Sequence, residues 1–214
     1  MSKLRFKISM SLDGFVAGPS QSVENPLGIG GGRLHEWAFQ LAVFRALLDI
    51  EGGEINESTP VVEESLANIG ATVMGRNMFG GHPGPWDART PWNGWWGGNP
   101  PFHHPVFVLT HHAREPLELE GGTTFTFVTN GIEAALELAR RAAGGKDVSL
   151  AGGANAAQQY LAAGLVDEME INLVPTLLGS GERLFDGVGD SLHGLHLVRT
   201  VATPQVTHLK FAKR

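Results

Sequence analysis

Short segments with the apolar patterns of β-strands alternate along this chain with segments that have helical periodicity. Residues 4–10 alternate apolar and polar side chains, which is the two-residue period of a strand. Residues 148–151 (Val-Ser-Leu-Ala) form a short, mainly apolar run that predicts a strand, and before them residues 132–143 place apolar side chains at the spacing of one helix face. This alternation predicts βαβ units and an α/β fold around a central, mostly parallel sheet.

Further segments continue the same pattern. Gly70 stands where a left-handed residue would end one helix, and Asn130 and Glu133 have the spacing of a capping box. The further strands are predicted at residues 71–74, 106–109, 124–128 and 168–174, and the further helices at residues 34–48, 59–69 and 154–163.

The C-terminal part of the chain differs from this alternation. Two alternating runs, residues 191–200 and 205–211, are joined across Pro204. They predict an antiparallel hairpin at one edge of the sheet. Because no repeat or linker interrupts the sequence, we predict a single domain over residues 1–214.

The composition excludes several classes of protein. The 214 residues include no cysteine, which excludes disulfides, cysteine-ligated zinc, iron–sulfur clusters and thiol nucleophiles. The adjacent histidines at 103–104 and 111–112 diverge on an extended chain, so we expect no metal site. A net charge of −6 with scattered basic residues argues against nucleic-acid binding. No apolar run approaches the ~20 residues of a membrane span, so we expect a soluble, cytoplasmic protein without a membrane partner.

Glycines, basic residues and hydroxyl groups follow three predicted strands at the points where those strands end. In an open α/β sheet, ligands bind outside the carboxyl ends of the strands. Paired glycines let a phosphate approach the backbone, a helix start favours an anion, and Arg, His and Thr supply further donors. The three ends could together hold a pyrophosphate and an additional phosphate. The residues concerned are Gly75, Arg76, Asn77, Thr110, His111, His112, Arg114, Gly152, Gly153, Ala154 and Asn155.

Residues 80–105 are rich in Gly, Pro, His and Trp and are too long for a plain connection. Four tryptophans fall within residues 85–98. This segment could be a lid that stacks on a planar heterocycle and excludes water, a packed cover, or part of a dimer contact. The tryptophans are Trp86, Trp92, Trp95 and Trp96.

Six motifs follow one another over most of the chain. They are residues 11–18 (SLDGFVAG), 73–79 (VMGRNMF), 106–110 (VFVLT), 150–154 (LAGGA), 164–168 (GLVDE) and 174–179 (VPTLLG). The set resembles the dihydrofolate reductase-like superfamily, and within it the reductase domain of the bifunctional riboflavin-pathway deaminase-reductase. The resemblance implies a three-layer α/β/α fold, an NADPH-dependent reductase activity and a homodimer.

The resemblance also implies roles for individual residues. Ser9 would contact the nicotinamide carboxamide through its backbone, with Val16 or Ala17 nearby. The adenosine phosphates, including the 2′-phosphate, would face Arg76, Asn77, Thr110 and His111 or His112. The pyrophosphate would be wrapped by Gly152, Gly153, Ala154, Asn155 and Ala156.

The chain also departs from the family pattern. The deaminase half needs a Pro-Cys-x-x-Cys signature, which a chain without cysteine cannot supply. Of the two activities of the bifunctional enzyme, we therefore expect only the reductase activity. The riboflavin enzyme has an acidic substrate-binding residue before the Ala-Gly of the pyrophosphate loop, where this chain has Leu150. Folate reductases carry a pterin-binding carboxylate in the first helix. Glu36 or Asp49, with the neighbouring Trp37, are the candidate substrate residues here, although helix carboxylates are usually solvated.

We therefore expect an NADPH-dependent oxidoreductase that transfers a hydride to a planar nitrogen heterocycle, such as a pteridine, pyrimidine or flavin-like ring. The expected activity resembles that of the riboflavin-pathway 5-amino-6-(5-phosphoribosylamino)uracil reductase. The alternatives are a dihydrofolate or flavin reductase and a non-catalytic, dimeric NADP-binding module. The sequence assigns no catalytic residue, because hydride transfer is the chemistry of the cofactor.

Overall fold

The computed structural model describes residues 2–89, 91–190 and 192–214. Met1, Thr90 of the tryptophan-rich segment and Ser191, where the predicted run 191–200 begins, lie outside the described residues. The strands are β1 (Leu4–Ser11), β2 (Phe15–Ala17), β3 (Ile69–Gly75), β4 (Pro105–Leu109), β5 (Leu117–Glu118), β6 (Thr124–Val128), β7 (Asp147–Leu150), β8 (Glu168–Val174), β9 (Glu182–Arg183), β10 (Leu195–Ala202) and β11 (Thr207–Lys213). The α-helices are α1 (Glu36–Phe39), α2 (Ala42–Ala46), α3 (Thr59–Leu66), α4 (Arg76–Phe79), α5 (Gly131–Ala142) and α6 (Ala154–Ala162), and short 3-10 helices cover Gly31–Leu34 and Glu120–Gly122.

Nine of the described strands form one mixed sheet in the order β10-β11-β8-β1-β7-β3-β4-β6-β5. The pairs β1/β7, β7/β3, β3/β4 and β4/β6 are parallel. The pairs β10/β11, β11/β8 and β5/β6 are antiparallel, and β2 pairs with β9 separately. The predicted α/β fold, with a mostly parallel sheet and an antiparallel C-terminal hairpin at one edge, is confirmed.

The described chain divides into two compact units. The first unit comprises the residues up to Phe6 and Asn68–Val166, and the second comprises Lys7–Ala67 and Asp167–Arg214. Strand β1 therefore contributes residues to both units. The prediction of a single domain stays a prediction. Among the described residues, no helix has the length and apolar character needed to cross a membrane.

The first unit is built on β3, β4 and β6, whose apolar side chains form one buried cluster. Ala135 and Ala139 of α5 are fully buried, and these small side chains let the helix pack against β4 and β3. The hydroxyl of Tyr160 in α6 donates a 2.7 Å hydrogen bond to the carbonyl of Ile132 and so ties the two helices together. The buried cluster contains Met74, Phe79, Val106, Val108, Phe125 and Phe127.

The second unit has its own buried cluster, to which the segment around α1 contributes its apolar side chains. Leu34, Trp37 and Leu41, which lie in the segment predicted as a helix over residues 34–48, are buried together, whereas Leu48 of the same segment is 45% exposed. The single helix predicted over residues 34–48 is wrong. Leu41 is extended, with φ −74° and ψ 133°, and it bridges to Glu54, so the segment is divided between a 3-10 turn, α1 and α2.

Two local predictions near helix ends are wrong. Gly70 does not end a helix; it lies within β3, while Asn68 takes the left-handed conformation with φ 60°. A Cβ at Gly70 would lie 2.5 Å from the carbonyl oxygen of Ala143, so the glycine is needed for close backbone approach. The predicted capping box also does not form, because the Asn130 side chain makes no hydrogen bond to the start of α5.

Candidate functional site

Strand β7 passes into α6 through Gly152 and Gly153, and a side chain on either glycine would point into open space. A Cβ at either position would have no atom within 4 Å, and Gly152 has φ 96°, in the region that favours glycine. In the described structure no side chain caps α6, and its first backbone hydrogen bond runs from the Ala157 N–H to the Gly153 carbonyl at 3.1 Å. The first-turn N–H groups therefore have no partner within the helix and can bind an anion. These groups belong to Ala154, Asn155 and Ala156.

The end of β3 lies directly beside this glycine pair. The N–H of Gly75 donates a 2.7 Å hydrogen bond to the carbonyl of Gly152. A Cβ at Gly75 would lie only 3.2 Å from the Cβ of Ala156, so a glycine allows the two backbones to approach. Arg76 and the exposed Asn77 follow in the first turn of α4. The structure thus brings together two of the three predicted strand ends.

The guanidinium of Arg76 is held by the tryptophan-rich segment. Its Nη1 donates to the carbonyl of Gly80, and its Nη2 donates to the carbonyl of His82 at 2.9 Å. Its Cζ lies 3.5 Å from the ring centroid of Trp86, in cation–π contact. Its Nε is buried without a hydrogen-bond partner. Arg76 therefore has a fixed orientation and an unsatisfied donor.

The third strand end is linked to the second by Trp86. Thr110, directly after β4, is buried, and its N–H donates to the Val128 carbonyl at 3.0 Å. Its hydroxyl oxygen accepts from the N–H of His112 at 3.2 Å. The carbonyl of His112 in turn accepts from the indole Nε1 of Trp86 at 2.8 Å, and His111 is exposed. All three predicted strand ends are therefore joined within the first unit.

Arg114 adds a second positive charge beside the same indole ring. Its Cζ lies 5.1 Å from the Trp86 ring centroid, and its Nη2 donates to Asn93 Oδ1 at 2.8 Å. Burial lowers the pKa of both guanidinium groups, and the charge of Arg114 lowers the pKa of Arg76 further. In the described part of the chain, neither Arg76 nor Arg114 forms an ion pair with a carboxylate. Two like charges without a counter-charge favour an anionic ligand.

The rest of the tryptophan-rich segment packs over the first-unit cluster. The indole Nε1 of Trp92 donates to the Phe79 carbonyl at 2.9 Å, and that of Trp95 donates to the Met78 carbonyl at 3.1 Å. All four tryptophans are half-buried. This packing is that of a cover held by indole hydrogen bonds. The lid and dimer-contact interpretations stay predictions.

The second unit brings Ser9 and Trp37 together. The Nε1 of Trp37 donates to the Ser9 hydroxyl at 3.3 Å and to the Leu34 carbonyl at 3.1 Å, and both Ser9 and Trp37 are buried. Val16 and Ala17 of β2 are buried as well. The predicted contacts of Ser9, Val16 and Ala17 with a nicotinamide stay predictions.

A buried hydrogen-bonded series lies next to Trp37. The ring of His208 meets that of Trp37 edge-on, with 5.1 Å between the centroids. Its Nδ1 lies 2.7 Å from Asn172 Oδ1, and its Nε2 lies 2.9 Å from the Ser58 hydroxyl. Because an amide oxygen only accepts, Nδ1 carries the proton and Nε2 accepts from Ser58. This connectivity is that of a hydrolase triad, but Ser58, Asn172 and His208 are 3%, 2% and 1% exposed, so no substrate reaches the hydroxyl.

The two candidate substrate carboxylates are exposed. Glu36 lies in the first turn of α1, and Asp49 follows α2 with φ 55°. Exposure is the usual environment of a solvated carboxylate. The assignment of Glu36, Trp37 and Asp49 to substrate binding stays a prediction.

Comparisons with solved structures show the fold. A Shewanella sp. PV-4 protein named for riboflavin biosynthesis is 20% identical with a TM-score of 0.59, and the match covers 100% of this chain and 99% of that chain. The Thermotoga maritima diaminohydroxyphosphoribosylaminopyrimidine deaminase/5-amino-6-(5-phosphoribosylamino)uracil reductase is 12% identical with a TM-score of 0.55. This match covers 100% of this chain and 57% of the Thermotoga chain.

Dihydrofolate reductase from Enterococcus faecalis, complexed with NADP(H), is 12% identical with a TM-score of 0.50, and the match covers 98% of this chain and 95% of that chain. The predicted dihydrofolate reductase-like fold is thereby confirmed. A comparison with curated proteins finds no match. The family model described as the RibD C-terminal domain matches residues 2–209. The chain therefore belongs to the RibD C-terminal domain family.

Proposed function

We propose that this chain is an NADPH-dependent reductase that transfers a hydride to a planar nitrogen heterocycle. The observation that carries the proposal is the assembly of three strand ends in the first unit. These ends offer an open glycine pair, a helix start and the unpaired guanidinium groups of Arg76 and Arg114. Membership of the RibD C-terminal domain family supports the class of reaction.

The residues of the strand ends fit the phosphate groups of NADPH. A Cβ at Gly152 or Gly153 would fill the open space beside the start of α6, where backbone N–H groups can bind a pyrophosphate. Arg76 and Arg114 supply two charges that suit the 2′-phosphate. We assign the pyrophosphate to residues 152–156. We assign the adenosine phosphates to Arg76, Asn77, Thr110, His111 and His112, with Gly75 allowing the close approach of β3.

The other end of the cofactor is assigned from the family resemblance. Ser9, with Val16 or Ala17, is proposed to contact the nicotinamide, and the hydrogen bond from Trp37 restrains Ser9. NADPH supplies the hydride when bound, so the residues of the chain bind the ligands, orient them and exclude water.

The substrate-binding residues differ from those of the riboflavin enzyme. Leu150, which stands in place of an acidic substrate-binding residue of the riboflavin enzyme, is 1% exposed and offers no carboxylate. We propose that a pteridine, pyrimidine or flavin-like ring is the hydride acceptor. Glu36, Trp37 and Asp49 are its proposed contacts.

Calorimetry with NADPH, followed by assays of NADPH oxidation against a panel of pterins, aminopyrimidines and flavins, tests this function. We expect saturable binding of NADPH and oxidation that depends on one class of heterocycle. Absence of NADPH binding would overturn the proposal.

The buried Leu150 favours one second candidate, a non-catalytic NADP-binding module. This module would bind NADPH but oxidise it with no member of the panel, whereas a reductase would turn it over.

For both candidates we propose a homodimer, which light scattering coupled to gel filtration tests. A monomeric mass at micromolar concentration would contradict the dimer.

A further inference from the structure

Trp86 of the tryptophan-rich segment contacts both unpaired guanidinium groups. We propose that Trp86 determines specificity for phosphate monoesters: its indole ring holds Arg76 and Arg114 as one anion site, and this site selects a ligand that carries a 2′-phosphate. The identification of that ligand with NADPH rests on the proposed function. The anion site itself rests on the contacts of these three side chains.

The position of the indole ring is fixed from several sides. Its Nε1 donates to the His112 carbonyl at 2.8 Å, and its ring meets Phe79 and Phe127 edge-on, with centroid distances of 5.8 and 4.9 Å. Arg76 lies over the ring with its Cζ 3.5 Å from the centroid. Trp86 is therefore a rigid platform for a guanidinium group.

The same ring contacts two like charges. The Cζ of Arg114 lies 5.1 Å from its centroid, and the negative face of an indole attracts cations. Each guanidinium also donates to oxygens of the loop, through Gly80 and His82 for Arg76 and through Trp92 and Asn93 for Arg114. These neutral acceptors orient the two groups but leave both positive charges uncompensated.

A phosphate monoester matches this charge and these donors. It carries a charge of about −1.5 to −2 at pH 7 and three acceptor oxygens. A guanidinium has five N–H donors, and the contacts above use two on Arg76 and two on Arg114. Nε of Arg76 is buried, but each of the four Nη atoms keeps one N–H for a phosphate oxygen. A 2′-hydroxyl carries no negative charge, so its hydrogen bonds to these donors would be weaker.

The test compares Trp86 with Trp95, which also donates one indole hydrogen bond to a backbone carbonyl but has neither guanidinium over its ring. Dissociation constants for NADPH, NADH, adenosine 2′-monophosphate and adenosine 5′-monophosphate are measured by calorimetry. We expect Trp86→Leu to weaken NADPH and adenosine 2′-monophosphate by about tenfold. NADH and the 5′-monophosphate should not change beyond about twofold.

Trp86→Phe, which keeps an aromatic face, should retain part of the preference for NADPH over NADH that Trp86→Leu loses. Trp95→Leu should leave the ratio of the NADPH and NADH dissociation constants unchanged. Arg114→Gln provides a second route if Trp86→Leu does not fold, and it should cause the same selective loss. If Trp86→Leu keeps the wild-type ratio of the NADPH and NADH dissociation constants, the inference is overturned and the proposed function is left intact. If only Arg114→Gln folds, the same result in that variant overturns the inference.

Two further outcomes separate the anion site from the proposed function. If the wild-type protein binds adenosine 2′-monophosphate through Trp86 but does not bind NADPH, the proposed function fails and the anion site stands. If it binds neither compound, both fail.

Discussion

The carboxylate of Asp13 accepts a 2.7 Å hydrogen bond at its Oδ2 from the backbone N–H of Gly179. Its Oδ1 accepts from the Ser11 hydroxyl at 2.6 Å and from the Leu178 N–H at 3.1 Å. Asp13 thus joins two of the six sequence motifs, residues 11–18 and 174–179, within the second unit. These hydrogen bonds, with the Ser11 hydroxyl first, lower the pKa of Asp13 from 3.8 to about 2.

Asp13→Asn should lower the Tm at neutral pH, because the side-chain NH2 of asparagine would face a backbone N–H that now donates to the carboxylate. The pKa of Asp13 is lower in the folded protein, so its stabilisation is present above pH 3.8 and is lost as the pH falls towards about 2. The Tm difference between wild type and variant should therefore shrink over that range. The exposed Asp190, changed to Asn, is the control. A pH-independent difference would contradict the role of the ionised carboxylate.

Local patterns account for the parts of the fold that could be predicted from sequence. The period-2 run of β1 and the apolar run before Gly152 depend on neighbouring residues only, and so does the helical spacing of α5. The strand ends followed from these runs, since a parallel sheet gathers the carboxyl ends of its strands.

Long-range backbone contacts account for the errors. Leu41 leaves helical geometry because it pairs with Glu54, and Gly70 is needed because Ala143 lies against it. The placement of Trp86 over Arg76 is likewise a tertiary contact across a long loop, so no spacing in the sequence indicates it. The only sequence signal was the density of tryptophans between two basic strand ends.

Gly18→Ala should destabilise the second unit. A Cβ at Gly18 would lie 2.0 Å from the carbonyl oxygen of Ile29, so the backbone around it must shift. We expect a loss of about 1–3 kcal/mol in the free energy of unfolding, as for other overpacked sites. Chemical denaturation measures this loss. Gly32→Ala, where a Cβ meets no atom within 4 Å, should be close to neutral, and equal losses in the two variants would contradict the steric explanation.

Gly153→Ala should weaken NADPH binding without lowering the Tm. Gly153 has φ −69° and ψ −166°, which alanine adopts, and its Cβ would enter only open space. That space is the one assigned to the pyrophosphate, so we expect at least about a tenfold loss of affinity, the equivalent of one charge-assisted hydrogen bond. Gly98→Ala is the control, because its Cβ is equally unobstructed. Unchanged NADPH affinity in Gly153→Ala would remove residues 152–156 from the cofactor site.

His208→Gln should change how the stability of the protein depends on pH. Burial, with the charges of Arg199 and Lys7, lowers the pKa of His208 from 6.5 to about 4. As the pH falls, the unfolded chain binds a proton at this histidine at a higher pH than the folded protein does. The contribution of His208 to stability is therefore complete above pH 6.5 and is lost as the pH falls to about 4. Urea titrations at intervals over this pH range measure the free energy of unfolding, which should depend less steeply on pH in the variant than in the wild-type protein. The exposed His196, changed to Gln, should leave the wild-type dependence unchanged, and the same slope in all three proteins would show that His208 is not held neutral by the fold.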